Sequence, residues 1–416
     1  MNNQTVRSVL IGLVSALIGV MLIAVGFIAR VVVEPEANVA AKGPVASTSA
    51  SPGQADFNTL NEIFSILRQD YVDSDRLDAD QLFEAAVNGM FKALGDPHST
   101  YIDPNTYAIS RDDFQGAFHG IGATVALQGE FVVIVRAMPN TPAERAGLKA
   151  GDAILAVNGE EAEGWSVDKA VLKIRGPRGS TVQLRVRHVD GRTEEFALIR
   201  DEIVVASVDN LPPGGTLRDA RGAEVTDLGY LRIRSFTNRT PKELSDVVEA
   251  AKAKGVRGLI IDVRGNPGGL LNETAQTVDM FLDKGIIVTQ VDRLGTERTI
   301  SARAGNEITT IPIVIVQDEF SASGSELLAA ALQENGRATV VGSRSFGKGT
   351  VNHARELSNG GAVYVSIARW LTPARNQIEG QGVRPDVEVT LSADDIEAQR
   401  DVAIQRAVDI LRSKTG

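Results

Sequence analysis

The chain of 416 residues contains no cysteine. That excludes disulfides, thiolate metal sites and a cysteine nucleophile. Histidine is scarce: His98, His119, His188 and His353 stand far apart. Their spacing does not suit the ligand set of a zinc hydrolase, and neither a metal nor another cofactor is expected. Positive charge is also short, with 43 Lys and Arg against 53 Asp and Glu and a net charge of −10. A nucleic-acid partner would need a basic face, so none is expected. With 43% apolar and 23% charged residues, the composition is that of a folded chain. The length exceeds one ordinary core, so two or three domains are expected.

What is present begins with an uncharged run, Val9–Ala29, long enough for a helix of about 30 Å. A cleaved signal peptide usually has a shorter apolar core. The run therefore predicts an anchor: residues 1–30 as a cytoplasmic stub and transmembrane helix, in a single-pass protein of the cell membrane. The weak bias of Arg7 against Glu34 and Glu36 puts the N-terminus in the cytoplasm and the rest of the chain on the extracytoplasmic side. Residues 31–55, rich in small residues and proline, read as a flexible linker. Residues 56–110 read as a helical region. Leu60, Ile63, Phe64 and Leu67 repeat at helix spacing, and a second such segment is capped by Asp78 or Asp80 and stopped at Gly95. Such a pair suits packing or homodimerisation. His98, in the turn that follows, is given a structural role.

Residues 111–200 change to β texture, with two runs joined at Gln128-Gly129, a helix capped by Ser166 and an alternating strand. The order of elements and the phrase "AGLKAGDAILAVNG" resemble a PDZ domain. Gly120-Ile121-Gly122-Ala123 can form a nest of N–H groups that accepts a carboxylate, and the following strand can pair with an extended peptide. Ile121, Val125, Val171 and Ile174 are candidates to line the pocket for the last side chain. The expected partners are protein or peptide substrates with free, apolar C-termini.

Residues 201–390 read as alternating strands and helices, which predicts a largely parallel sheet. Residues 391–416 read as an outer C-terminal helix. "QDEFSASGSELLAAAL" sets Ser321, Ser323 and Ser325 where a buried strand enters a helix, the end at which α/β sheets gather reactive groups. A serine needs a base. Lys348, between two glycines, can serve if burial lowers its pKa. Capping alone would also explain the serines. His353 is a rival base, but in an extended strand it points away from the face shared by Lys348 and Asn352. "GNPGGLL" lacks the spacing of a dinucleotide fingerprint.

The stretch "FSASGSELLAAALQENGRATVVGSRSFGKGTV", with "LIIDVRGNPGGLL" and "WLTPARNQIEGQGVRPDVEV", resembles the carboxyl-terminal processing, or tail-specific, proteases. The resemblance runs from about Phe57 to the C-terminal helix. It implies a serine–lysine peptidase with an inserted PDZ domain that recognises a protein's C-terminal tail and cleaves near it. The nucleophile falls on Ser323 and the base on Lys348. The oxyanion donors fall on the backbone N–H of Gly269 and of Gly324, where alanine is common in the family. The residue that orients the lysine falls on Asn352, in place of the usual glutamine, on a stem one carbon shorter. The whole is expected to be an α/β multidomain protein with a transmembrane helix, helical segment, PDZ domain and peptidase core. The competing expectation is a catalytically idle PDZ scaffold that binds C-termini.

Overall fold

Four buried residues, Leu259–Asp262, show how the core is built. Successive side chains of a strand face opposite ways. Ile261 joins an apolar cluster with Leu244, Val278 and Leu327, whereas Ile260 joins another with Ala407, Val408 and Leu411. Its first three residues are apolar because both faces are covered, as parallel sheets require, and the buried Asp262 that ends it is bonded to Tyr230 and Arg264. It lies within a six-stranded sheet ordered Val208–Asp209, Gly229–Ile233, Leu259–Asp262, Ile313–Gln317, Ala338–Gly342, Val387–Glu388. All its pairings are parallel except the first. Helices Thr240–Ala253, Leu271–Asp279 and Gly324–Glu334 pack on one face, and Val402–Thr415 on the other. The C-terminal helix expected on the outside therefore closes a core.

This architecture comes from a computed structural model that describes residues 57–415, apart from 213–214, 306–307, 309, 391, 393–394, 396–397 and 399. The fold class needs one correction. It included a transmembrane helix, but among the described residues no helix is long and apolar enough to cross a membrane. The run Val9–Ala29 lies outside the described residues. The described fold is mixed α/β.

A second, antiparallel sheet lies beside the core. The long strand Ala362–Leu371 pairs with Thr350–Glu356 and Ile286–Asp292, and the latter pairs with Glu297–Ser301. Thr100–Ile102 adds to the same strand, matching Thr100 with Tyr364. The amino-terminal region thus contributes a strand, which three residues between two prolines did not reveal. A helix over Pro104–Gln115 follows, with Asp103 accepting from the N–H of Asn105 and Thr106. Helices Asn58–Asp70 and Ala79–Leu94 match expectation, and Asp78 caps the second. Neither buries a residue.

The PDZ part is a six-stranded antiparallel sheet from Ala123 to Ile199 with the helix Val167–Ile174, capped by Ser166. The chain enters it along Ala117–Gly120 and leaves along Asp201–Val204. These two strands pair, Phe118 opposite Ile203. The PDZ unit is therefore an insertion held on a two-stranded stem.

Candidate active site

Ser323 closes the turn between the strand Ile313–Gln317 and the helix Gly324–Glu334. Its backbone has φ 52° and ψ −108°, a region that costs a non-glycine residue of order 1–3 kcal/mol. The surroundings hold it there. Ser321 Oγ donates to the Val263 carbonyl at 2.9 Å and Ser325 Oγ to the Asn266 carbonyl at 2.9 Å. The outer two serines thus fasten this turn to the segment Val263–Asn266, which leads into the loop "GNPGG", and the middle one is left facing a cavity.

That loop is shaped around the serine. Asn266 is fully buried; its amide donates to the Ile233 carbonyl and its Oδ1 accepts from Gly268 N. Gly269 has φ 149°, and a Cβ there would lie 2.2 Å from the Phe236 carbonyl oxygen. Only glycine fits. A Cβ on Gly268 would meet Ser323 Cβ and Gly324 N, each at 2.8 Å, so the two turns touch. The N–H groups of Gly269 and Gly324 find no acceptor among the described residues.

The lysine arrives on the loop Ser345–Gly349. Phe346 N donates to the Ser321 carbonyl at 3.0 Å, and Trp370 Nε1 to the Lys348 carbonyl at 3.0 Å. A more direct link was missed in the sequence. The buried carboxylate of Glu326 accepts from Ser323 N at 2.7 Å and Lys348 N at 2.8 Å through Oε2. Through Oε1 it accepts from Ser345 Oγ and Gly347 N. One carboxylate therefore ties the serine turn to the lysine loop. Burial pushes its pKa up, against those four hydrogen bonds. The signal for it was the Ser-x-x-Glu spacing of a capping box.

Ser323, Gly269, Gly324, Lys348, Asn352 and His353 line one cavity of about 270 Å³, whose other walls are mainly apolar. Burial pushes the Lys348 amine below the ordinary lysine value, although Glu379, Asp96 and Glu326 favour its charged form. Among the described residues, Nζ makes no hydrogen bond, to Ser323 Oγ or to any other atom; it lies 5.5 Å from the Tyr364 ring centroid. Active-site bonds that are open before substrate binds commonly tighten in the complex.

Asn352 does not reach Lys348. Its Nδ2 donates to the His98 carbonyl at 2.8 Å and to Ser366 Oγ at 3.1 Å. The shared face expected from strand alternation is interrupted, because the strand begins only at Thr350 and has a bulge between Val351 and Asn352. His353 is exposed.

On the PDZ unit, Ile121 O accepts from Ala143 N and Gly122 O from Met138 N, both at 2.8 Å. Gly122 has φ 75°, and a Cβ there would lie 2.4 Å from Thr141. The strand Ala123–Gln128 is at the sheet edge. Ile121 and Ile174 are buried in the domain core, with Val125 packed against it.

Three sequence families match this chain: peptidase family S41 over residues 227–389, the PDZ domain over 113–187, and the N-terminal domain of the activating protease CtpB over 20–106. Carboxy-terminal processing protease CtpA of Bacillus subtilis (strain 168) is 34% identical over 82% of this chain and 71% of its own length. CtpB of the same organism is 32% identical over 83% and 70%. Among solved structures, a photosystem II D1 C-terminal processing protease is 29% identical over 82% of this chain and 90% of that one, with a TM-score of 0.45. The chain belongs to the carboxy-terminal processing proteases of peptidase family S41, which are serine-type peptidases, and it carries a PDZ domain.

Proposed function

We propose that this protease binds the C-terminal tail of a protein substrate on its PDZ domain and cleaves near that end, with Ser323 as nucleophile and Lys348 as general base. The observation that carries the reading is the shared cavity. A serine in a strained turn there faces a lysine whose charge is disfavoured, beside two N–H groups without acceptors. Neutral Lys348 takes the proton of Ser323 Oγ as oxygen attacks the scissile carbonyl. The N–H groups of Gly269 and Gly324 receive the oxyanion. The lysine ammonium then protonates the leaving amine, and water, deprotonated by the same lysine, hydrolyses the acyl-serine. Asn352 supports the base through the strand rather than by a bond to Nζ.

The edge strand Ala123–Gln128, which follows the loop Ile121–Gly122, supports capture of a free, apolar C-terminus. Self-association through the exposed faces of Asn58–Asp70 and Ala79–Leu94 is a further part of the reading. The location proposed is extracytoplasmic, with Val9–Ala29 as an export element; protease accessibility in intact against permeabilised cells tests it. The dyad is tested by Ser323→Ala and Lys348→Ala in a peptide-cleavage assay. Each should be inactive and folded, and an active Lys348→Ala enzyme would refute the base assignment.

A further inference from the structure

Because Nζ of Lys348 has no hydrogen bond among the described residues, its position is set by the main chain that carries it. Glu326 and Trp370 hold that chain at Lys348 itself, and just beyond it the chain is held from outside the core, at two points that both lead to one residue. Gly349 N donates to Glu379 Oε2 at 2.7 Å. The other oxygen of Glu379 lies 2.8 Å from His98 Nε2. Three residues further on, Asn352 Nδ2 donates to the His98 carbonyl. His98, from the amino-terminal region, therefore holds both ends of the segment Gly349–Asn352.

His98 is itself fixed. It is 9% exposed. Its N–H donates to Asp96 Oδ1 at 2.9 Å. Asp96 Oδ2 accepts from Ser99 Oγ, which in turn accepts from Ser366 N at 3.0 Å, on the strand paired with Thr350–Glu356. Burial acts to raise the Glu379 carboxyl, but the hydrogen bonds from His98 and Gly349 outweigh it and hold it below the usual glutamate range. Glu379 is thus an ionised acceptor, and His98 Nε2–H donates to it.

We propose that His98 and Glu379 are positioning residues for the hydrolysis. They clamp the segment that carries Lys348, and the turn Asp96–Ser99 thereby couples the amino-terminal helical region to the reacting groups. The proposal rests on the dyad reading above. It also implies that a force or partner acting on the helical pair alters the position of the base, since Thr100–Ile102 continues directly from this turn into the sheet.

Three acids face the Lys348 amine from three elements: Glu379 from the loop after Leu371, Asp96 from the amino-terminal turn and Glu326 from the helix behind Ser323. Glu379 contributes the largest of these attractions. Removing its charge makes the ammonium less favourable, so the amine loses its proton at lower pH.

The test uses the full chain and a quenched peptide with a free apolar C-terminus, with kcat and KM measured against pH. His98→Ala removes the Glu379 arm and leaves the main-chain arm. Its kcat should fall about tenfold to a hundredfold, the cost of a misplaced reacting group, with KM nearly unchanged. Glu379→Gln keeps an acceptor for Gly349 N. It should retain more kcat than Glu379→Ala, and its rising limb of kcat should move to lower pH. The double variant His98→Ala/Glu379→Ala should be no worse than the weaker single variant, because both act through one arm.

Wild-type kcat and an unmoved pH limb in His98→Ala and Glu379→Gln would overturn the clamp, as would losses in the double variant that simply multiply. If His98→Ala proves unfolded by circular dichroism, Glu379→Gln decides alone through its pH limb. Lys348→Ala, run in parallel, separates the two claims. If it is active, the dyad falls and the clamp with it; if it is dead while the clamp variants match wild type, the clamp alone falls.

Discussion

At the scale of single residues, the account turns on charge taken out of water. An ordinary lysine titrates near 10.4 and is a poor base at neutral pH; burial disfavours the ammonium of Lys348. If Lys348 is the base proposed, the reactive form is the neutral amine, and kcat should rise with pH along a limb below the ordinary lysine range. A limb centred at or above that range would mean that Lys348 is not desolvated when it acts. Lys348→Ala and Ser323→Ala should each reduce kcat by about 10⁴-fold or more, as loss of a group that acts as part of a unit does. His353→Ala should retain activity, since that side chain is exposed. Much of this site was legible in the sequence. The three alternating serines fit only one arrangement once Ser321 and Ser325 are seen bonding backwards to the loop Val263–Asn266. Glu326 was legible in principle, as the fourth residue of a capping box. Glu379 was not: it meets His98 across 281 positions of sequence, and no local pattern marks that pairing. Asn352 was read from the family resemblance; only the face it was expected to share with Lys348 rested on ideal strand alternation, which a single bulge interrupts.

At the scale of elements, the proposed tail recognition rests on the PDZ unit. Amidating the C-terminus of a substrate removes the charge that the Gly120–Ala123 nest would receive. The loss should be about 1.5–3 kcal/mol, roughly tenfold to a hundredfold in recognition, read as kcat/KM for free against amidated peptides. Equal values would assign the domain another task. Gly122→Ala places a Cβ 2.4 Å from Thr141 at a φ of +75°. It should weaken tail binding to the same degree or more, with little effect on reaction of Ser323 with a small probe. The helices and strands of this domain were legible because their caps and turns are local: Ser166 accepts from Lys169 N, and Gly129 turns the hairpin at φ 63°. The strand Thr100–Ile102 was hidden because three residues cannot show a period; only its pairing with Ala362–Tyr364 makes it a strand.

At the scale of the whole molecule, the chain joins three units through few connections. The PDZ insertion hangs on the stem Ala117–Gly120 with Asp201–Val204. The amino-terminal region reaches the core through the strand Thr100–Ile102 and the turn before it. Its first helix presents Leu60, Ile63 and Ile66 at 46%, 48% and 49% exposure, an apolar face on which the proposed self-association would rest. Self-association there should be broken by Ile63→Glu with Ile66→Glu, which should convert a dimer to a monomer in sedimentation equilibrium; a wild-type monomer at all concentrations would refute it. In the proposed reading, the base Lys348, the nucleophile Ser323 and the donor Gly269 arrive from three separate loops, and the second donor, Gly324, adjoins the nucleophile. The measurement that tests this most directly is the intact mass of the enzyme, and the site of its adduct, after reaction with a fluorophosphonate. The account predicts a single adduct on Ser323 in the wild type and none in Lys348→Ala at the same pH. An adduct on another serine, or undiminished labelling of Ser323 without the lysine, would contradict it.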